Sequence, residues 1–171
     1  MPSGIDHPAA WPVEQLLKRC EVKRLRRGGP GGQHRNKVET AVVVQDPVTG
    51  QSGEASERRS QEANRQAAIF RLRINLAVHV IDEIDLSTTP SELWRSRLRS
   101  GKVSLNPTHD DFPAMLAEAI TVLHAESWDA SAAAARLGCS TNQLVKLLKN
   151  ETAAFTRLNH QRDQLGLKRL K

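Results

Sequence analysis

The sequence predicts an α+β fold, a small sheet packed on one helix and followed by a helical region. Three observations predict it. Short valine-rich segments separated by turn residues occupy residues 21–55. From Glu57 the apolar residues change to a helical period. Beyond Thr89, capping residues open amphipathic stretches and glycines close them.

Residues 1–12 are polar with Pro2, Pro8 and Pro12, and read as a loose arm. Residues 13–20 read as a short helix, and residues 21–26 alternate weakly, as a strand does. Residues 40–45 are a better strand, because three consecutive valines fit a pleated surface. Residues 46–50 form a turn, and residues 51–55 return antiparallel. Ala63, Ala67, Phe70, Ile74, Ala77, Val78 and Ile81 then share one helical stripe, which a sheet face has to cover.

Residues 82–88 read as a linker. Thr89-Pro90-Ser91-Glu92 has the form of a capping box, opening a helix that carries Leu93, Trp94, Arg95, Arg97 and Arg99 and stops at Gly101. Asp110-Asp111-Phe112-Pro113 opens the next helix, with Met115, Leu116, Ile120 and Leu123 inward. Paired aspartates also suit a metal or acid/base site, but a capped helix start near the positive dipole end explains them more simply. Asp129 caps a helix over residues 130–137. Gly138-Cys139 turns the chain, and Ser140 opens a helix with Leu144, Leu147 and Leu148 inward. Helix, glycine turn, helix is a helix-turn-helix pattern that points Asn142, Gln143, Lys146 and Lys149 outward. An ordinary helical hairpin in a bundle fits equally well. The division expected is an arm and short helix over 1–20, a sheet-plus-helix domain over 21–85, and a helical domain over 89–171 that carries this pattern.

The chemistry concentrates in Gly28-Gly29-Pro30-Gly31-Gly32-Gln33. Four glycines in six residues make a segment almost without side chains, whose backbone N–H groups can come close to a ligand. Residues 18–37 hold eight Lys/Arg and one acid, Glu21. A Walker loop needs Lys followed by Ser/Thr, but Val38 follows Lys37, and His34 stands where a dinucleotide fingerprint needs its third glycine. By composition alone, a basic glycine-rich RNA-binding segment that orders on binding fits as well.

The run from Arg27 to Val42 resembles the catalytic loop of class I peptide-chain release factors and of the short ribosome-rescue peptidyl-tRNA hydrolases. Glu57-Arg58-Arg59-Ser60-Gln61-Glu62-Ala63-Asn64-Arg65 resembles the same family's Arg-Ser-Gln-x-x-Asn helix start, at the family's spacing, and Thr49-Gly50 resembles the end of its strand-joining turn. The resemblance covers roughly residues 20–80. It implies a GGQ-type catalytic domain and codon-independent hydrolysis of the peptidyl-tRNA ester in the peptidyl-transferase centre, with large-subunit RNA and peptidyl-tRNA as partners. Gly31, Gly32 and Gln33 are then the catalytic tip. Arg26, Arg27, Arg35, Lys37, Arg58, Arg59 and Arg65 are the RNA contacts, and Gln61 and Asn64 are helix-start polar groups. A glutamine methyltransferase acting on Gln33 is also implied, and His34 is not the family's base. The chain departs from the family at Gly28, Arg35, Asp46 and Val48, none of them at the tip.

Other features narrow the class. Net charge is +6 and the sequence pI is about 9.8, which favours a polyanionic partner. Cys20 and Cys139 are far apart, with no CxxC and no clustered histidine, so neither a disulfide nor a zinc site is expected. No metal or diffusible cofactor is implied. No secretory leader opens the chain, and its longest apolar stretch is far too short to span a bilayer. A cytoplasmic monomer is expected. Too few residues precede the loop for a stop-codon-reading domain, and the only terminal cations are Lys168, Arg169 and Lys171. Three functions stay open: a rescue hydrolase, a non-catalytic ribosome- or RNA-binding factor, and a helix-turn-helix DNA-binding regulator.

Overall fold

A three-stranded antiparallel sheet, covered on one face by a long helix, forms the front of the molecule. The computed structural model describes residues 6–25 and 41–171. Strand β1 (Glu21–Leu25) pairs with β2 (Ala41–Gln45), which pairs with β3 (Ser52–Ala55). Val42 and Val44 are buried and Val43 is half-buried, the alternation expected of a strand with one covered face. The tight turn before β3 is closed by Gly50 at φ +73°, whose N–H donates to Asp46 O at 2.8 Å. Every residue of β1 is exposed, because the covering helix packs on β2 and β3.

That helix, α2 (Gln61–His79), is capped by Ser60, whose Oγ accepts from Ala63 N. Its most buried line is Asn64, Ala68, Leu72 and Leu76, spaced four residues apart. The expected stripe is therefore rotated. Ile74, Ala77 and Val78 are buried, Ala67, Phe70 and Ile81 are half-buried, and Ala63 is exposed. Two causes combine. The sheet and helix α4 (Phe112–Ala125) cover α2 from two sides, which widens its buried arc. A polar residue, Asn64, also takes the first buried position. Gly53 of β3 lies against α2 so closely that a Cβ there would sit 2.0 Å from Ala68 O and 2.4 Å from Leu72 N.

Residues 7–10 are packed rather than loose. They form a 3-10 turn (Pro8–Ala10) against α2, with His7 as its cap: Ala9 N donates to His7 Nδ1, and Arg73 Nε of α2 donates to Ala9 O at 3.0 Å. Helix α1 (Val13–Arg19) follows and buries Leu16.

Helix α3 (Glu92–Arg97) starts two residues later than the capping box over 89–92 suggests. Ser91 is its cap, with Oγ accepting from Trp94 N. Glu118 of α4, itself buried, fixes that cap by accepting from Ser91 N at 2.7 Å and Ser91 Oγ at 2.6 Å. The helix also stops short of Gly101. Strands β4 (Leu98–Arg99) and β5 (Lys102–Val103) form a hairpin around Ser100 and Gly101, both at positive φ, so the back of the chain is not all-helical. Asp111 does not cap α4 with its side chain; it pairs with Arg97. Helix α5 (Ala130–Arg136) is capped by Asp129 and α6 (Thr141–Lys149) by Ser140, as their sequences indicate. Helix α7 (Thr152–Gln164) closes the bundle. Beyond it, Asn159 grips Leu170 through both its carboxamide atoms and folds residues 166–170 back. One buried apolar cluster runs from Leu16 through α2 and α4 to Leu158 and joins front and back.

Candidate functional site

The register of the sheet fixes which segments meet at one end of it. Leu25 pairs with Ala41, so the described flanks of residues 26–40 meet at that pair. One step further in, Val42 pairs with Ala55, the last residue of β3. The segment 56–60 and the N-terminus of α2 therefore lie at the same end of the sheet as those flanks. Gly31, Gly32 and Gln33, with Arg26, Arg27, Arg35 and Lys37, lie outside the described residues.

Residues 56–60 are held by their backbone. Asn64 Oδ1 accepts from Arg58 N at 2.9 Å, and Asn64 Nδ2 donates to Arg58 O at 3.0 Å. The carboxamide thus satisfies both polar backbone groups of a residue that belongs to no helix or strand. Ser60 caps α2 two residues on. Arg71, two turns further along the helix, reaches back to bond Glu54 O and to bridge both carboxylate oxygens of Glu57. The Arg71 guanidinium holds the Glu57 carboxyl down at about 2, helped by the backbone N–H groups of Glu57 and Ser56. Both side chains are about half exposed, so the pair orients the segment more than it stabilises the fold.

The side chains of Arg58 and Arg59 are exposed on this clamped backbone. Arg65 is half-buried and 3.8 Å from Glu62, which also accepts from Gln66, so its charge is partly answered. Gln61 is half-buried at the first position of α2. Of the expected RNA contacts within the described residues, Arg58 and Arg59 are thus the better presented. The predicted helix-turn-helix residues form a separate surface: on α6, Asn142, Lys146 and Lys149 are exposed and Gln143 is half-buried. Arg71 and Glu57 were not separable by sequence, because nothing in their spacing reveals a side chain reaching from α2 to the preceding segment. The helix-start motif singles out Asn64, but its clamp on the Arg58 backbone is seen only in the fold.

The described part of the arrangement presents the cations of Arg58 and Arg59 at this end of the sheet. Among the described residues no three His, Cys, Asp or Glu side chains cluster to hold a metal. Burial pushes the Cys139 thiol up to about 11, and burial with the nearby Asp46 charge raises Cys20, so both stay protonated and poorly nucleophilic. A cleft of about 330 Å³ lies elsewhere, between Trp11, Phe70, Arg73 and Asp111. No described helix is long and apolar enough to cross a membrane.

Residues 13–105 match the RF-1 domain family. Over 58 residues, 34% of the chain, it is 45% identical to peptide chain release factor PrfB1, chloroplastic, of Arabidopsis thaliana. It is also 45% identical over 64 residues, 37% of the chain, to peptide chain release factor 1 of Caldicellulosiruptor saccharolyticus, and equally so to that of Caldicellulosiruptor bescii. The matched stretch spans only 13% of the first relative and 18% of the other two. No solved structure matches the chain.

Proposed function

The chain belongs to the RF-1 domain family, and on that premise we propose that it hydrolyses the peptidyl-tRNA ester on the ribosome without reading a stop codon. The observation that supports this reading is the sheet register: the flanks of the segment that holds Gly31-Gly32-Gln33 meet at the Leu25–Ala41 pair. The Asn64 clamp fixes Arg58 and Arg59 at the same end.

In this reading the segment around Gln33 enters the peptidyl-transferase centre. Water attacks the ester carbonyl carbon, the bond to the terminal ribose oxygen of the tRNA breaks, and that oxygen takes up a proton. The Gln33 backbone N–H donates to the oxygen that gains charge, while its side chain positions water. Oriented donors and proximity lower the barrier, and no titrating side chain of the protein is needed. A Cβ at Gly31 or Gly32 would obstruct the approach. Arg58 and Arg59, with Arg26, Arg27, Arg35 and Lys37, neutralise phosphates of the surrounding RNA. Gln33 is the residue a glutamine methyltransferase would modify, and the protein works in the compartment of the ribosomes it serves.

Independence from a stop codon is supported by the back of the molecule, where a packed helical region carries its own basic surface. The test is peptide release from ribosomes stalled on a messenger with no codon in the A site. Wild-type protein is expected to release the peptide there, and Gln33→Ala to fail. Release that requires a stop codon would overturn codon independence, and release by both proteins would overturn the role of Gln33. Isolated large subunits carrying peptidyl-tRNA then show which ribosomal state is the substrate.

A further inference from the structure

Acidic and basic residues are segregated in the back of the molecule. Residues 93–109 hold Arg95, Arg97, Arg99 and Lys102 with no Asp or Glu, and residues 138–150 hold Lys146 and Lys149 with none either. These two segments are far apart in sequence but adjacent in space. Strand β5 of the hairpin packs on α6. Leu98 of β4 lies against the turn between α5 and α6, 3.7 Å from where a Gly138 Cβ would stand. Trp94, fully buried, donates from Nε1 to Leu137 O at 2.8 Å and latches the base of the hairpin to the same turn.

The result is a helix-turn-helix with a hairpin beside its second helix. Leu98 and Val103, paired across the hairpin, are half-buried. The next pair, Arg99 and Lys102, is exposed at the tip. Asn142, Lys146 and Lys149 are exposed along α6, and the Phe155 ring lies 5.3 Å from Lys149 Nζ and holds that cation in place. Arg97 is not part of this surface, since Asp111 already pairs with it.

We propose that the hairpin tip and α6 form one basic ridge that grips the phosphate backbone of an RNA double helix, through Arg99, Lys102, Lys146 and Lys149. Few side chains here can read bases: of the two amides on α6, Gln143 is half-buried. An A-form helix suits such a surface, because its major groove is closed to side chains and it is recognised by shape and backbone. The choice of RNA over DNA rests on the ribosomal function proposed above. The ridge then supplies an anchor on structured RNA while the other end of the molecule does chemistry.

The test uses the full chain and an RNA duplex of about 16 base pairs, the length that suffices for a backbone-reading domain. Binding is followed by fluorescence anisotropy over a salt series, beside a DNA duplex of the same sequence. In Lys102→Glu/Lys146→Glu, two lost phosphate contacts are expected to flatten the plot of log K against log salt by roughly two and to weaken binding at least ten-fold at low salt. Both sites are exposed, and a thermal melt checks that the variant is folded. Lys102→Gln/Lys146→Gln should show the same change in slope with a smaller loss of affinity. An unchanged slope in folded variants, or tighter binding to the DNA duplex than to the RNA, would overturn the proposal. The duplex carries no ester, so failure here leaves peptide release standing, and a failed release assay leaves the ridge standing.

Discussion

The two ends of the three-stranded sheet solve opposite problems. At the turn end, polar side chains answer one another. Asp46, fully buried, accepts from Arg19 at 2.6 Å, Thr49 Oγ1 at 2.7 Å and Val48 N at 3.2 Å, and Arg19 stacks over Trp11. At the loop end, polar side chains hold backbone instead: Asn64 holds Arg58, Ser60 caps α2, and Arg71 reaches Glu54 O. The first arrangement closes a turn. The second leaves Arg58 and Arg59 exposed on a fixed frame, which suits the RNA contact proposed for them. At the turn end the buried carboxylate is answered by its neighbours, while at the loop end the Arg71–Glu57 pair and the Asn64 clamp hold the segment and leave Arg58 and Arg59 to present charge.

Both ends depend on the seating of β3 against α2, so the largest effect is expected from Gly53→Ala. Its Cβ would overlap the α2 backbone, which cannot yield as a side chain can, and should cost about 3 kcal/mol or more. Chemical denaturation measures this, and a loss below about 1 kcal/mol would mean that β3 and α2 are less tightly apposed. Next comes Asp46→Ala, which strips Arg19 and Thr49 of their acceptor. Arg19 is partly exposed, so the loss should lie at the low end for a broken buried pair, about 3 kcal/mol. Peptide release per folded molecule should stay near wild type.

Asn64→Ala sharpens the contrast. It leaves two backbone groups of Arg58 without their partner and should cost about 2 kcal/mol, less than Asp46→Ala. Yet its release rate should fall more, because Arg58 and Arg59 lose their frame. If Asp46→Ala slows release more than Asn64→Ala at equal folded fraction, the functional difference between the ends disappears.

Much of this was legible in the sequence. Valine-rich strands, the turn ending at Gly50 and the caps Ser60, Asp129 and Ser140 are local signals, and each lies where local chemistry puts it. The failures are long-range. The arm over residues 1–12 reads as loose because its proline and polar content hides the bond from Arg73, 64 residues away, to Ala9. The start of α3 shifts to Ser91 because Glu118, 27 residues on, grips it. The hairpin after α3 resembles the end of a helix because Ser100, not only Gly101, takes positive φ. At the site, the identity of the motifs could be read, but the function of Asn64 as a clamp needed the fold.

The smallest expected effect is a pH dependence at the packed arm. Burial lowers the pKa of His7 below its ordinary 6.5, with the Val80 carbonyl acting in the opposite sense. A base depressed in the folded state contributes stability above its unfolded pKa and loses it as pH falls through the folded value. The Ala9 N–H donates to Nδ1, so protonation there also breaks the cap. Wild-type stability should therefore fall between pH 7 and 5 more steeply than that of His7→Asn, which can still cap and does not titrate. Parallel pH profiles would remove His7 as the cause.

The most direct measurement is single-turnover peptide release from stalled ribosomes by wild-type protein and Gln33→Ala, with ribosome binding read in the same reaction. Release lost while binding persists is the expected result. Release at the wild-type rate by Gln33→Ala would contradict catalysis at the loop end of the sheet.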